Sequence, residues 1–195
     1  MPLTKSDATI IARGTSNAAF TQLTGCSVTR SGTTATLTKT SHGLSNGNVV
    51  LIQGFSLEEF NGVFTVANAA ANTFDYTISA DPGANPAGTP GTVDKVTLGT
   101  ALDLTGSYAC TVFGALQNTT TGPTVGPQVW VGEALSNSEP AYIWRPLLTG
   151  DTTANAMTPF VYQPGQAVQF LNLAVARNTG QAIDCFALAT HITAV

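Results

Sequence analysis

Charged residues are scarce in this sequence. Asp, Glu, Lys and Arg make up only 9% of its 195 residues, against about 25% in an ordinary soluble domain. Disorder does not explain the shortage, because disordered chains combine high charge with low hydrophobicity, and 43% of these residues are hydrophobic. A surface with so little charge gives copies of the chain little electrostatic repulsion, which suits a protein that works in an assembly.

Long apolar runs are missing as well. The stretch from Phe170 to Ala176 is interrupted by Asn172 and followed by Arg177, whereas a helix that spans a membrane needs about 20 successive apolar residues. The N-terminus also lacks the apolar run of a secretory signal. We therefore expect no membrane partner and a protein that is kept in the cytosol until assembly.

Basic residues are too few to form an interface with nucleic acid. The chain has three Lys and four Arg, which are scattered, and its formal net charge is −4. Binding to phosphates requires a basic stripe that neutralises them. We therefore expect no direct contact with DNA or RNA.

The three cysteines lie far apart and form no CxxC pair of the kind that binds zinc. Cys110 and Cys185 sit within apolar runs, and free cysteines are usually buried as small apolar groups. We predict buried, reduced thiols, with a reactive thiol or a disulfide as the alternative.

Other groups that could carry out chemistry are also few. His42 precedes a glycine and is predicted to cap a turn, and Glu58 and Glu59 are adjacent, so they point in different directions. The sequence contains no phosphate-binding loop and no nucleophile elbow. We expect no metal, no cofactor and no enzymatic activity.

Threonine, glycine and proline are abundant, with 31, 19 and 10 copies. Threonine is β-branched and fits a pleated, half-exposed surface, while glycine and proline mark turns. No amphipathic helix of good length is visible. The composition predicts an all-β protein of many short strands.

A small β-barrel or sandwich module is predicted over residues 26–82. Strand-like runs at 35–40, 48–54, 63–68 and 73–79 are separated by turn residues. Residues 55–60 could form a short helical turn. Asn61-Gly62 follows as a strong signal for a tight turn.

The order of motifs in this module resembles a known family. The motifs run Ser41-His42-Gly43-Leu44, Asn48-Val49-Val50-Leu51-Ile52, Phe60-Asn61-Gly62-Val63-Phe64-Thr65-Val66 and Thr73-Phe74-Asp75-Tyr76-Thr77. They resemble a β module of tailed-bacteriophage structural proteins that is similar to the FCCH domain of ubiquitin-activating enzyme. The resemblance implies a virion component. It implies no ubiquitin chemistry, because no adenylation motif or catalytic cysteine context accompanies it.

The rest of the chain is predicted to form an antiparallel, jelly-roll-like β-sandwich. Residues 83–91 are rich in proline and glycine and are predicted to be a linker. Strand candidates then follow at 94–98, 107–116, 127–134, 141–148, 157–162, 167–176 and 182–195. The strand-poor residues 1–25 are assigned to the sandwich with 92–195, which makes 26–82 an insertion. The alternative is an N-terminal arm that crosses to a neighbouring subunit.

An aromatic group is the main candidate site. Trp130, Tyr142, Trp144 and Arg145 come from two neighbouring predicted strands. If exposed, they would form an interface hot spot or a stacking surface for sugar rings. The alternative, that Trp130 and Trp144 are core residues, stays open because the periodicity does not fix which face they occupy.

These observations lead to an expected function. The phage-type module and the sparse charge favour a virion structural protein, a capsid decoration (cement) protein. Such a protein would bind the major capsid protein of the head lattice as an oligomer, expected to be a homotrimer. The alternative is a small tail or baseplate component, or a receptor-binding component that recognises glycans.

Overall fold

The structure is a computed structural model that describes residues 3–88, 90–135 and 142–194. The chain is 57% strand and 2% helix, which confirms the all-β prediction. The strands of this described part are β1 (Leu3–Asn17), β2 (Leu23–Ser31), β3 (Thr34–Thr38), β4 (Val49–Gln53), β5 (Gly62–Thr65), β6 (Thr73–Thr77), β7 (Gly91–Lys95), β8 (Thr97–Leu98), β9 (Leu102–Asp103), β10 (Ser107–Asn118), β11 (Gln128–Ala134), β12 (Ile143–Thr149), β13 (Met157–Tyr162), β14 (Phe170–Ala176) and β15 (Ile183–Ala194).

The chain forms two compact units. The smaller comprises Thr21–Val96, and the larger comprises Met1–Phe20 with Thr97–Val195. The domain boundaries drawn from the sequence stay a prediction, but strand pairing differs from them at two points. The sequence assigns residues 1–25 and 92–95 to the sandwich, whereas Leu23 of β2 pairs with Val93 of β7, and β7 also pairs with β4, inside the smaller unit.

The smaller unit is one curled sheet with the strand order β5-β4-β7-β2-β3-β6. It closes almost into a barrel, because Ala67, just after β5, pairs with Asp75 of β6. Aromatic rings fill the interior, and Phe64 and Tyr76 have ring centroids 4.7 Å apart. The buried Tyr76 hydroxyl donates to the Phe60 carbonyl at 3.2 Å, so even the polar end of this ring has a partner.

The tight turn predicted at Asn61-Gly62 is wrong. Asn61 closes a wider loop instead: its Oδ1 accepts the Phe55 N–H at 3.0 Å and its Nδ2 donates to the Phe55 carbonyl at 2.8 Å. Gly62 already belongs to β5. The short helical turn predicted just before it is confirmed as a 3-10 helix over Glu58–Phe60.

The predicted linker 83–91 is held against the smaller unit. Arg30 of β2 forms an ion pair with Asp81 at 2.7 Å, and its backbone N–H donates to Asn85 Oδ1 at 2.9 Å. The sequence could not predict this anchoring, because Arg30 is distant in sequence from the segment it holds. The segment ends at Gly91, where the Phe55 ring lies so close that an added Cβ would be 2.4 Å from it.

The larger unit is a sandwich of two antiparallel sheets. The first sheet has the order β1-β15-β10-β13, and the second has the order β12-β11-β14-β8, with β9 also on β14. With β8 and β9 taken as one strand, the eight strands of this unit pair first with eighth, second with seventh, third with sixth and fourth with fifth. Nested pairing of this kind is the jelly roll, which confirms the predicted fold class.

The N-terminal segment is a long edge strand of the first sheet. β1 pairs with β15 from Leu3 opposite Ala194 to Asn17 opposite Ile183, with two irregularities. The sequence reads as strand-poor there because bulges and exposed polar residues interrupt the alternation. At the end of β1, the buried Asn17 side chain donates to Asn178, and Thr97 Oγ1 donates to Asn17 Oδ1 at 2.8 Å.

Apolar side chains from both sheets fill the space between them. The first sheet contributes Val112, Leu116, Phe160 and Ile183, and the second contributes Val129, Val131, Leu171, Leu173 and Val175. Gly114 makes room for the Phe160 ring. A Cβ at Gly114 would lie 2.6 Å from that ring and 2.3 Å from the Phe186 carbonyl oxygen.

We expect Gly114→Ala to lower the free energy of unfolding by about 1–3 kcal/mol, because overpacking a dense core forces neighbours to shift. The Phe186 oxygen is backbone, so it cannot move aside by changing rotamer. Urea denaturation measures the change. Gly165→Ala is the control, since nothing lies within 4 Å of its added Cβ, and it should stay within about 0.5 kcal/mol of the parent. Equal effects of the two changes would contradict the packing account.

Candidate functional site

The structure divides the predicted aromatic group between two faces of the second sheet. β11 and β12 pair so that Gly132 lies opposite Trp144 and Val131 lies opposite Arg145. Val131 belongs to the core, so Arg145 is on the core-facing side. Trp130 and Trp144 are on the other side, because successive residues of a strand point to opposite faces.

Trp130 and Trp144 differ in how much ring they expose. Trp130 is only 6% exposed, and its Nε1 donates to Gln128 Oε1 at 3.1 Å. The Trp144 ring lies over Gly132, where an added Cβ would be 2.8 Å from it, and its buried Nε1 has no acceptor among the described residues. Tyr142 packs beside Trp144 with ring centroids 5.7 Å apart, and burial raises the pKa of Tyr142. Of the three aromatic residues in the predicted group, Tyr142 and Trp144 therefore keep part of their surface exposed, and Trp130 does not.

Arg145 belongs to a polar cluster that joins the two sheets. Arg145 Nη2 lies 2.8 Å from Glu133 Oε2. The Tyr162 hydroxyl of β13 donates to Glu133 and accepts from Arg145. The Glu133 side chain is only 17% exposed. Burial, followed by the hydrogen bond to the Glu133 carboxylate, raises the pKa of Tyr162. β12 and β13 are edge strands of their sheets, so this cluster closes the open edge of the sandwich.

His42 has the structural role that the sequence predicts. It is buried, its Nδ1 accepts the Leu44 N–H at 3.1 Å, and its Nε2 donates to the Thr73 carbonyl at 3.2 Å. Accepting at Nδ1 requires the proton of a neutral ring to be on Nε2. Both nitrogens are therefore occupied in holding the turn that follows β3.

The cysteines are free thiols. Cys26 and Cys185 are buried as predicted, and Cys110 is half-buried. Burial raises the pKa of all three thiols, that of Cys185 to about 12. Because the thiolate is the nucleophilic form, these positions are unfavourable for a reactive cysteine.

Within residues 3–88, 90–135 and 142–194, no three His, Cys, Asp or Glu side chains are grouped to hold a metal ion. In the same part of the chain, no helix is long and apolar enough to cross a membrane.

Exposed apolar side chains are concentrated at one end of the sandwich, which we call the apolar end. Here β1 and β12 begin, β11 ends and β15 ends, as the pairing of Leu3 with Ala194 and of Glu133 with Ile143 shows. The contact between Glu133 and Tyr162 brings the two sheets together there. The exposed residues at this end are Leu3 (64%), Tyr108 (60%), Leu135 (71%) and Ile143 (77%). Four exposed apolar side chains at one end make this end a candidate interaction surface.

A second apolar surface covers the side of the first sheet that faces away from the core; we call it the outer face. Phe113 of β10 lies between Val161 of β13 and Leu188 of β15. In the next row, Ala115 lies between Pro159 and Phe186. Phe113 is 40% exposed and Val161 is 67% exposed. This surface is not among the sites predicted from the sequence, although β13 carries apolar residues on both of its faces.

The known proteins that we compare with this chain are distant structural likenesses. No family model and no curated protein sequence matches the chain. The K1 cleaved adhesin domain of Lys-gingipain from Porphyromonas gingivalis W83 is 15% identical and has a TM-score of 0.38, covering 88% of this chain and 98% of that one. A structure of infectious bursal disease virus, Gx strain, is 10% identical with a TM-score of 0.33, covering 98% and 72%. A carbohydrate-binding module of the β-sandwich superfamily is 8% identical with a TM-score of 0.34, covering 90% and 97%. Likenesses this loose carry no argument about function.

We expect Arg145→Ala to lower the free energy of unfolding by about 1.5–3 kcal/mol, because it leaves the largely buried Glu133 carboxylate without its cation. Thermal and urea denaturation measure the loss. Lys5→Ala is the control, since Lys5 is 67% exposed in its pair with Asp7 and such surface pairs contribute little. An Arg145→Ala protein as stable as the Lys5→Ala protein would contradict a structural role for the cluster.

Proposed function

We propose that this chain is a structural protein of a tailed-bacteriophage particle, a decoration protein that binds the outside of the head lattice. The observation that carries the proposal is the apolar end of the sandwich. It presents Leu3, Tyr108, Leu135 and Ile143 to solvent. The jelly roll supports it only as a fold, one that also occurs in viral capsid and lectin domains.

The apolar end fits a docking surface for a protein shell. Covering exposed apolar area contributes about 25 cal/mol per Å², and all four side chains lie at the same end of the sandwich. In this proposal the partner is the major capsid protein. A protein that binds the assembled lattice and not the dissociated subunits stabilises the lattice by mass action.

The proposal assigns no catalysis, cofactor or nucleic-acid contact to the chain. The protein would be made in the host cytoplasm and would become part of the virion. The phage assignment itself rests on the motif order of residues 26–82. Binding to heads does not depend on the oligomeric state; the homotrimer expected from the sequence stays a prediction, which the mass of the isolated protein tests.

A second candidate is a tail or baseplate component that binds glycans. The partly exposed ring pair of Tyr142 and Trp144 favours it, because sugar rings stack on such surfaces. Substituting alanine for Tyr142 tests this candidate on a glycan array. Binding by the parent that disappears in the variant would favour it over the head protein, and no binding by either would count against it.

We expect Ile143→Ser and Leu135→Ser to weaken binding to purified heads that lack this protein by at least about tenfold each, the size of a modest hot-spot loss. Co-sedimentation of heads with added protein measures the bound fraction. Val125→Ser is the matched control, because Val125 is 48% exposed and lies at the opposite end of the sandwich, where it bridges to Thr179. Binding that is unaffected at all three positions, or no binding by the parent, would contradict the proposal.

A further inference from the structure

We propose that the outer face of the first sheet binds a second copy of this chain. The inference rests on the proposed assembly role, and it adds a surface and a partner that are separate from the apolar end. Three properties of the face support it: the arrangement of its apolar rows, the balance of its charges and its area.

The centre of the outer face is apolar, and polar residues border it on both sides, together with the exposed Met157 of β13. Two adjacent rows, Val161-Phe113-Leu188 and Pro159-Ala115-Phe186, run across β13, β10 and β15. Polar residues of the same strands border these rows: Thr111 and Gln163 are hydrogen-bonded on one side, and Gln117 and Asp184 are paired on the other. An apolar core inside a polar rim is the usual organisation of a protein interface.

The charges on this face cancel, although the chain as a whole carries −4. Lys5 and Asp7 form a pair at 3.7 Å, and Asp7 also accepts from Thr190 of β15. Arg13 lies over the Phe186 ring, 4.1 Å from its centroid, and Asp184 is the fourth charge. Two cations and two anions leave the face neutral, so copies can approach each other here without the repulsion between net negative molecules.

The size of the face matches what a stable contact between copies needs. Four strands about 4.8 Å apart, with residues rising about 3.4 Å along a strand, give the region around the twelve-residue β10 a projected area of roughly 700 Å². A standard interface buries about 800 Å² on each partner. Interfaces between identical subunits are also the more apolar class.

A charged partner would require opposite charges, and the apolar rows of this face carry none. Because the face is neutral, it can pack against its own copy as the two sheets of a sandwich do, about 10 Å apart. When the same surface is used on both molecules, the contact closes as a two-fold pair. The face therefore fits a second copy better than it fits an unrelated protein.

Sedimentation velocity of the full chain between about 1 and 100 μM tests the inference, with the parent, Val161→Glu and Val125→Glu compared. Val161 and Val125 are both exposed valines, but only Val161 lies on the outer face. We expect the parent to reach twice its 20.0 kDa mass. Val161→Glu should raise the dissociation constant at least about tenfold, because each copy would bury an unpaired carboxylate. Val125→Glu should change it less than about twofold.

Thermal melting of each variant establishes that it is folded. A parent that stays monomeric at 100 μM, or equal effects of the two substitutions, would overturn the inference. A trimer that depends on Val161 would overturn the face-to-face arrangement. The outcome is distinguishable from failure of the proposed function: protein that self-associates but does not bind heads leaves this inference standing, and protein that binds heads as a monomer overturns only this inference.

Discussion

The pairing of β1 with β15 is the interaction on which the larger unit depends. It joins the first and last strands of the sandwich and brings Ile10 and Ile11, both buried, into the core. It also places Asn17 beside Asn178 and Thr97, where the chain leaves the sandwich and returns to it. Contacts between such distant segments offset their loop-closure entropy only when the rest of the core forms, so we expect the sandwich to fold as one cooperative unit.

The same pairing creates the surfaces on which the functional account rests. β15 lies between β1 and β10, so its outward-pointing Phe186 and Leu188 continue the apolar rows that begin on β13 and β10. The ends of β1 and β15 help to form the apolar end. A chain with little charge and two exposed apolar surfaces is prone to association. The proposed role depends on this tendency to associate, because one surface contacts the shell and the other contacts a second copy.

Where a sequence pattern is clear and local, the prediction from it agrees with the structure. Met157–Tyr162 is a strand with the predicted bounds, and the turn-capping role of His42 is confirmed. Consecutive residues such as Trp144 and Arg145 must point to opposite faces of a strand, so their separation could have been predicted. The contact of Glu133 with Tyr162 could not have been predicted, because it depends on how the two sheets pack against each other. The anchoring of residues 81–85 by Arg30 could not have been predicted either, because Arg30 is distant from them in sequence.

The central claim is that this jelly roll is held on a capsid by its apolar end. A cryo-electron microscopy map of the purified particle tests it most directly. The account predicts density for the sandwich on the outside of the head, with Leu135 and Ile143 facing the major capsid protein. Density confined to the tail, or a sandwich on the head whose apolar end faces solvent, would contradict it.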